Sequence, residues 1–416
     1  EIGWCDWSSD VCSSDLNDLE SPAVGGALQV IGGQGGNDIT DALQDLETAD
    51  GVRGAYDQLS GQTRPPLAPM TVAGSSKFLG TVTSRVQNVQ TGLVAGAFDF
   101  APMAMAAGGP DQAVSSPVQD AAARGQTFAV GNGSRVLAAK RWGLWGRGYG
   151  LFGDRDAEGG VPGYSYNIYG GSFGVDYQIT ESILAGVVGG LSQGDADFCS
   201  SRDNTEFDAA HFGLYGSVAR GPWFVDAVAT FATLDYETER FVDLLNERLT
   251  GNFDGDEFAA YVEASRNFDL NPKLRLAPLA SLQYTYLTLD SYTETGGASA
   301  LTFDEQTQES IRGSLGARLT QRIAESTGDF YADLQVRGRW VHEFGDDRSS
   351  VESAFVSDPT VVFTVRDGKT SRDSAILGTG LSAQLNEHAK VYVDYDARLN
   401  SDETVQVISA SLQYRW

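Results

Sequence analysis

From Arg141 onward the chain alternates between apolar and polar positions. In FYADLQVRGRW one parity carries Phe330, Ala332, Leu334, Val336, Gly338 and Trp340, and the other Tyr331, Asp333, Gln335, Arg337 and Arg339. SIRGSLGARLTQR and KVYVDYDAR divide the same way, with Ile311, Leu315 and Leu319 against Arg312 and Arg318, and Val391, Val393 and Tyr395 against Asp394 and Asp396. A period of two with one apolar and one charged face marks a β-strand. Twelve such segments are predicted, near 141–153, 163–179, 182–196, 205–220, 222–238, 255–269, 273–292, 307–323, 328–346, 371–385, 388–399 and 403–416. Several exceed the roughly 9–11 residues that a tilted strand needs to cross a bilayer, and the usual 5–6 of a soluble strand.

The connections alternate in length. TES, Arg220-Gly221-Pro222, Asn271-Pro272, AESTG and NEH are short, whereas the stretches around 197–204, 239–254, 293–306 and 347–370 read as long acidic or polar loops. An even strand number with short turns at one rim and long loops at the other is the pattern of an outer-membrane barrel, with both termini on the periplasmic side. The last twelve residues, VQVISASLQYRW, place Ile408, Ala410, Leu412, Tyr414 and Trp416 on one parity. Soluble chains usually end in a polar, frayed tail. A final strand running apolar to a terminal Trp suits closure against the first strand. Trp142, Trp145, Trp223, Tyr236, Tyr284, Tyr286 and Trp340 are the expected members of the aromatic girdles. The fold class read from these patterns is all-β, a twelve-stranded antiparallel transmembrane barrel.

Ahead of the strands the pattern changes. Residues 17–60 hold a Gly-rich run, GGALQVIGGQGG, and then Ile39, Leu43 and Leu46 at helical spacing behind the candidate cap Asp38. Pro65 and Pro66 break the chain, and Val82, Val86 and Val89 suggest a further helical piece. Residues 94–135 are rich in Ala, Gly and Pro and read as a linker or as a segment sheltered inside something larger. The first sixteen residues hold two of the three cysteines, Cys5 and Cys12, and resemble nothing downstream, so they read as non-native or disordered. The chain does not begin with Met and shows no basic-then-apolar leader, which reads as a missing native start.

Composition sharpens this picture. The chain has 416 residues, 49 of them Gly, with 10% aromatic and only 20% charged residues, a β-composition. No run of 18 apolar residues exists, which excludes a helical membrane protein but not a barrel. The balance of 29 Lys+Arg against 56 Asp+Glu, net −27, repels phosphate backbones, so no nucleic-acid partner is expected. Three cysteines without CxxC or His/Cys spacing give neither a disulfide framework nor a zinc site. Cys199, in FCSSRD, falls in an expected outer loop. The acidic pieces NFDGDE and FGDD lack the ligand spacing of an EF-hand. His211, His342 and His388 are the only histidines, and no GxSxG elbow accompanies them, so they read as structural or rim residues and no catalytic site is expected.

Function is expected in the lumen. Arg147, Asp176, Asp226, Glu263, Arg275, Arg312, Arg318, Asp333, Arg337, Arg339, Asp394 and Asp396 all fall on the polar parity. A twelve-stranded interior is too wide for side chains alone and must be hydrated or plugged. Mixed-sign charges there serve either as a polar conduit for a passing chain or as a cross-strand ion-pair lattice.

Several motifs in order carry a resemblance: AYDQLSG at 55–61, WGLWGRGYGLFGDRD opening the first strand, YGGSFGVDYQI in the second, HFGLYGSVARGPWFVDAVATF across the fourth and fifth, and LQYRW at the end. On these the chain, from about residue 38 to 416, resembles the translocator region of the autotransporters, the type V secretion proteins of Gram-negative bacteria. The resemblance implies a twelve-stranded outer-membrane barrel over residues 136–416, a helix or extended linker in its lumen, and the end of an exported passenger over 17–93. It also implies assembly by the barrel-assembly machinery, which would read Leu412, Tyr414 and Trp416. Implied partners are outer-membrane lipid and lipopolysaccharide, periplasmic chaperones and the chain's own passenger, around a monomeric barrel without cofactor or metal. Some relatives cut their linker at an Asn-Asn bond; this chain has none, so a surface-retained passenger is expected. Two other readings remain open on the residues alone, a passive porin and a soluble extracellular β-protein.

Overall fold

The computed structural model describes residues 21–34, 37–46, 48–95, 129–130, 134–135, 141–157, 163–198, 201–326 and 330–416. Residues 1–16, Cys199 and most of the 94–135 linker lie outside the described residues.

Twelve long strands occur among the described residues: β1 (Trp142–Arg155), β2 (Tyr164–Thr180), β3 (Ile183–Phe198), β4 (Asn204–Arg220), β5 (Trp223–Val242), β6 (Glu247–Arg266), β7 (Leu274–Leu289), β8 (Gln306–Glu325), β9 (Tyr331–Glu343), β10 (Asp373–Gln384), β11 (Ala389–Leu399) and β12 (Glu403–Arg415). Each pairs antiparallel with its sequence neighbours. The sheet closes where β12 pairs with β1, with Leu412 opposite Gly146 and Tyr414 opposite Leu144. Backbone bonds between Trp142 and Trp416 run in both directions and seal the seam at the rim where the chain ends.

The alternation sorts side chains as a lipid solvent demands. In β4 the outward set, Leu214, Phe212 and Val218, is exposed, whereas His211, Tyr215 and Ser217 are buried inside. Ile408, Leu412, Tyr414 and Trp416 likewise face out. Above the apolar band the outward positions turn acidic, with Glu206, Asp208, Asp235 and Glu237 all exposed. Four of the aromatics expected in the girdles, Trp142, Trp223, Tyr286 and Trp340, face outward and are exposed. Trp145 and Tyr236 do not: both point inward, 2% and 1% exposed. Parity explains the error, because each shares a face with lumen residues, Trp145 with Arg147 and Tyr236 with Thr230.

The rims differ as expected, but the long connections are themselves structured. Residues 239–254, expected as a loop, continue the β5–β6 ladder to a tip at 243–246. β5 alone has 20 residues, about 66 Å of strand, so this hairpin overshoots a bilayer. Within 293–306 and 347–370, Tyr292–Thr293, Leu301–Phe303, Ser350–Phe355 and Asp358–Arg366 form a separate four-stranded sheet. Its apolar positions Phe303, Val351, Phe355, Phe363 and Val365 are buried. The connection after β11 is only the turn 400–402, so length sorting is incomplete on that rim.

The N-terminal region is helical: α1 (Ser21–Gly33), α2 (Asp38–Gln44), α3 (Ala49–Leu59) and α4 (Leu67–Ala95). The Gly-rich run forms α1 because Val24, Ala27, Leu28 and Ile31 repeat at helical spacing and are all buried. α2 starts one residue earlier than the cap assignment implied: Asn37, not Asp38, caps it, accepting from the Thr40 N–H. α1, α3 and the start of α4 share one apolar core with the barrel's upper inner wall and the four-stranded sheet. The barrel mouth at the long-connection rim is therefore filled by packed helices.

The inverted surface yields a direct test. Leu214→Arg, at the centre of the outward band of β4, is expected to destabilise the barrel in lipid vesicles by about 2–4 kcal/mol in denaturant titrations, whereas Asp208→Arg, above the band, costs only about 0–1 kcal/mol.

Candidate functional site

α4 occupies the lumen. Its 29 residues span about 43 Å. Thr71, near its start, hydrogen-bonds Tyr236 at 2.6 Å toward the mouth. Arg85, near its end, reaches Asp176 and Gln413 close to the rim that holds Trp416. The helix therefore runs from the long-connection rim toward the rim where β1 begins. The sequence pattern showed only a fragment of it, around Val82–Val89, and assigned residues up to 93 to the passenger's end. In the structure residues 67–95 are the lumen segment.

The fit is apolar on one flank and polar on the other. Phe78, Leu79, Val82 and Val86 pack with Trp145, Leu184, Val188 and Tyr215 of the wall. Phe78 stacks on the His211 ring at 4.3 Å, and His211 also meets the Ser192 hydroxyl at 2.9 Å. Deep in the lumen Arg85 forks onto Asp176, with Nε to Oδ2 at 2.7 Å and Nη2 to Oδ1 at 3.0 Å. Tyr215 donates to the same carboxylate at 3.0 Å and accepts from Trp145 Nε1 at 2.7 Å. Thr81 and Ser172 meet at 2.9 Å. Gly143 lets the Arg85 pair approach, since a Cβ there would lie 2.3 Å from Arg85 Nη2.

Opposite, the wall is a lattice of ion pairs touched by the helix at a few points. Glu263 receives Arg318 at 3.2 Å, Arg339 at 2.9 Å, Tyr261 at 2.7 Å and Gln87 of α4 at 3.0 Å. Asp226 stands directly across the ladder from Glu263. Arg147 pairs with Asp394 at 2.7 Å, and Arg337 bridges Asp394 at 3.0 Å and Asp396 at 2.7 Å. Arg312 binds Glu343 at 2.9 Å and donates to Ser76 of α4 at 3.0 Å. Arg275 pairs with Asp269 at the short-turn rim, and Asp333 with Arg322. All twelve sequence-selected charges thus point inward, and Asp176, Glu263 and Arg312 hydrogen-bond α4 directly. A cavity of about 210 Å³ remains beside Lys77, Arg312, Arg337, Arg339 and Asp396.

The residues that sequence reasoning missed divide into two kinds. Glu257, Arg322, Glu343, Arg398 and Glu403 lie on the same inward face, and the parity rule could have found all five. Arg85, Gln87, Ser76 and Thr71 had no such signal, because their helix had not been recognised as a lumen element. At the outer mouth, beyond the spanning strands, burial pushes the Asp367 carboxyl up to about 6 against the pull of Arg155 at 3.1 Å. Of the other two histidines, His342 meets Asp373 on the outside, and His388 bonds the Arg415 carbonyl and stacks on Tyr414.

The barrel has counterparts among known proteins. The family described as Autotransporter beta-domain matches residues 144–396, more than half of the chain. The chain belongs to the autotransporter β-domain family. Among curated proteins it is similar to an extracellular serine protease of Serratia marcescens, 26% identical over 279 residues, covering 66% of this chain and 26% of that protein. It is also similar to outer membrane protein B of Rickettsia prowazekii, 22% identical over 300 residues, covering 70% of this chain and 18% of that protein. The autotransporter barrel thus spans about a quarter or less of these relatives. Among solved structures, the translocator domain of autotransporter NalP from Neisseria meningitidis shares the fold at TM-score 0.54 and 14% identity, covering 66% of this chain and 88% of that one. The β-domain of the Bordetella autotransporter Brka does so at 0.51 and 18%, covering 66% and 100%. The autotransporter barrel lies in the outer membrane, so the long-connection rim is the extracellular one.

The buried Arg85–Asp176 pair joins the autotransporter helix to its wall. Arg85→Leu alone strands a buried carboxylate and is expected to lower unfolding free energy in detergent micelles by about 3–5 kcal/mol. Arg85→Leu with Asp176→Leu is expected to recover most of that loss. A double variant as unstable as the single would remove the pair as the cause.

Proposed function

We propose that this barrel exports its own N-terminal passenger and then holds it at the cell surface, using the lumen as a polar sleeve and no chemistry of its own. The observation that carries this reading is α4 inside the barrel with its N-terminal end, Leu67, at the extracellular mouth. A chain with that direction has everything upstream of residue 67 outside the cell. The ion-pair lattice serves the same purpose: Arg147, Arg318, Arg337 and Arg339 are satisfied by wall carboxylates and leave the helix to be gripped at few points. In this reading the linker begins at the Pro65–Pro66 break, and the passenger's end covers residues 17–64. The filled lumen argues against a passive porin.

Assembly partners follow from the terminal strand. Leu412, Tyr414 and Trp416 face outward on β12, where the barrel-assembly machinery would read them, after periplasmic chaperones deliver the chain. The acidic outward positions above the apolar band would face lipopolysaccharide, around a single barrel without nucleic acid or cofactor.

Expressed behind a signal peptide with an epitope ahead of residue 17, the chain is expected to be labelled by antibody on intact cells. An epitope accessible only after lysis would overturn the export reading. Deletion of Tyr414 to Trp416 is expected to leave synthesis intact and abolish the outer-membrane pool; normal assembly of that variant would remove the role given to the terminal strand.

A further inference from the structure

The corner between α3 and α4 is built in a way that stability alone does not favour. Gly61 adopts φ +71°, and a Cβ there would lie 2.7 Å from the Phe303 ring and 3.0 Å from Leu301. Only glycine suits that position, on both counts. Three residues later Arg64 is 1% exposed. Its guanidinium makes one hydrogen bond, Nη2 to the Asp290 carbonyl at 3.2 Å, and its Nε and Nη1 have no partner among the described residues. Its guanidinium lies 4.1 Å over the Phe253 ring and 5.5 Å from Tyr292. These rings belong to one continuous stack, with Tyr236 on Phe253 at 4.7 Å, Phe253 on Tyr292 at 4.6 Å and Tyr292 on Phe303 at 4.9 Å. Two connections at the extracellular mouth build this column, the β5–β6 hairpin and the segment between β7 and β8.

A buried cation with unsatisfied donors is weaker for stability than an apolar side chain of similar volume, and its best-attested use is to fix register. Toward the periplasm the Arg85–Asp176 pair holds α4, and the mouth end needs a second fixed point if the helix is to keep one register. Much of its surface is small and hydroxylated, with Ala73, Gly74, Ser75, Ser76, Gly80, Thr81, Thr83 and Ser84, and a small-residue surface fits a wall in many positions. We infer that the Gly61–Arg64 corner is the latch that sets the resting register of the exported chain, by docking Arg64 on the aromatic column at the mouth. The column is the receiving site, and its occupant is this chain's own corner. Arg64 is a positioning residue in this scheme, acting on where the export segment comes to rest. The inference rests on the export reading above.

The Thr81–Ser172 contact reports register, because the two hydroxyls are 2.9 Å apart across the helix–wall interface. With Cys5, Cys12 and Cys199 replaced by Ser, Thr81→Cys with Ser172→Cys is expected to form a disulfide in outer membranes. Adding Arg64→Met, an apolar replacement of similar length, is expected to reduce that disulfide at least about threefold as the helix populates other registers, with the heat-resistant barrel band unchanged. Gly61→Val is expected to act in the same direction. An unchanged disulfide in both variants overturns the latch, and so does a loss that occurs only together with loss of the heat-resistant band, which would mark plain destabilisation. The N-terminal epitope, scored on the same cells, separates the two ideas: a surface epitope with an unmoved disulfide defeats the latch alone, and a buried epitope in the parent defeats the export reading itself.

Discussion

Hydrocarbon offers no hydrogen-bond partner, so every backbone N–H and C=O that crosses it must be bonded within the protein. In this chain that constraint is met where β12 pairs with β1 and the twelve-stranded ladder closes on itself. All else follows from the closure. With no free edge, the period of two divides each strand into a lipid face and a lumen face, and apolar side chains move outward. Leu214 and Phe212 are then exposed by design of the solvent, while Asp226 and Glu263, 1% exposed each, are interior.

An interior built this way is polar and too wide to fill itself. The wall answers in part, by pairing Arg147, Arg318, Arg337 and Arg339 with its own carboxylates. α4 answers the rest. One flank is greasy enough to pack with Trp145, Tyr215 and Val188, and the remainder is small and hydroxylated enough to pass a charged wall. Grip is concentrated at two places, the forked Arg85–Asp176 pair toward the periplasm and the Gly61–Arg64 corner at the mouth. Above the membrane ordinary protein physics returns. There α1, α3, the upper wall and the four-stranded sheet bury apolar side chains in common, as a soluble domain does.

How much of this was legible in the sequence follows the same physics. The strands were readable because parity reports which side of a closed sheet a residue faces; all twelve lumen charges, from Arg147 to Asp396, needed nothing more than their parity. Setting parity aside misled, since aromatic type alone placed Trp145 and Tyr236 in the girdles when their neighbours on the same face were Arg147 and Thr230. α4 was nearly illegible. A helix in a polar lumen needs no continuous apolar stripe, so only Val82, Val86 and Val89 stood out of 29 residues. The extracellular sheet was hidden for another reason: its strands are short and set in acidic stretches, and they gain their order from tertiary contact with α1 and the β5–β6 hairpin. Glu257 and Glu343 needed only the parity rule carried along the strands that already hold Glu263 and Arg339.

The central claim is a closed, lipid-embedded sheet. Its most direct measurement is the electrophoretic mobility of residues 17–416, expressed behind a signal peptide, in outer-membrane fractions loaded in dodecyl sulfate with and without boiling. A ladder without edges gives the detergent no point of entry until heat opens it, so the account expects a compact band before boiling that shifts to the mobility of the unfolded chain afterwards. A soluble product with a single mobility under both conditions would contradict the barrel, and with it the lumen, its helix and the direction of export.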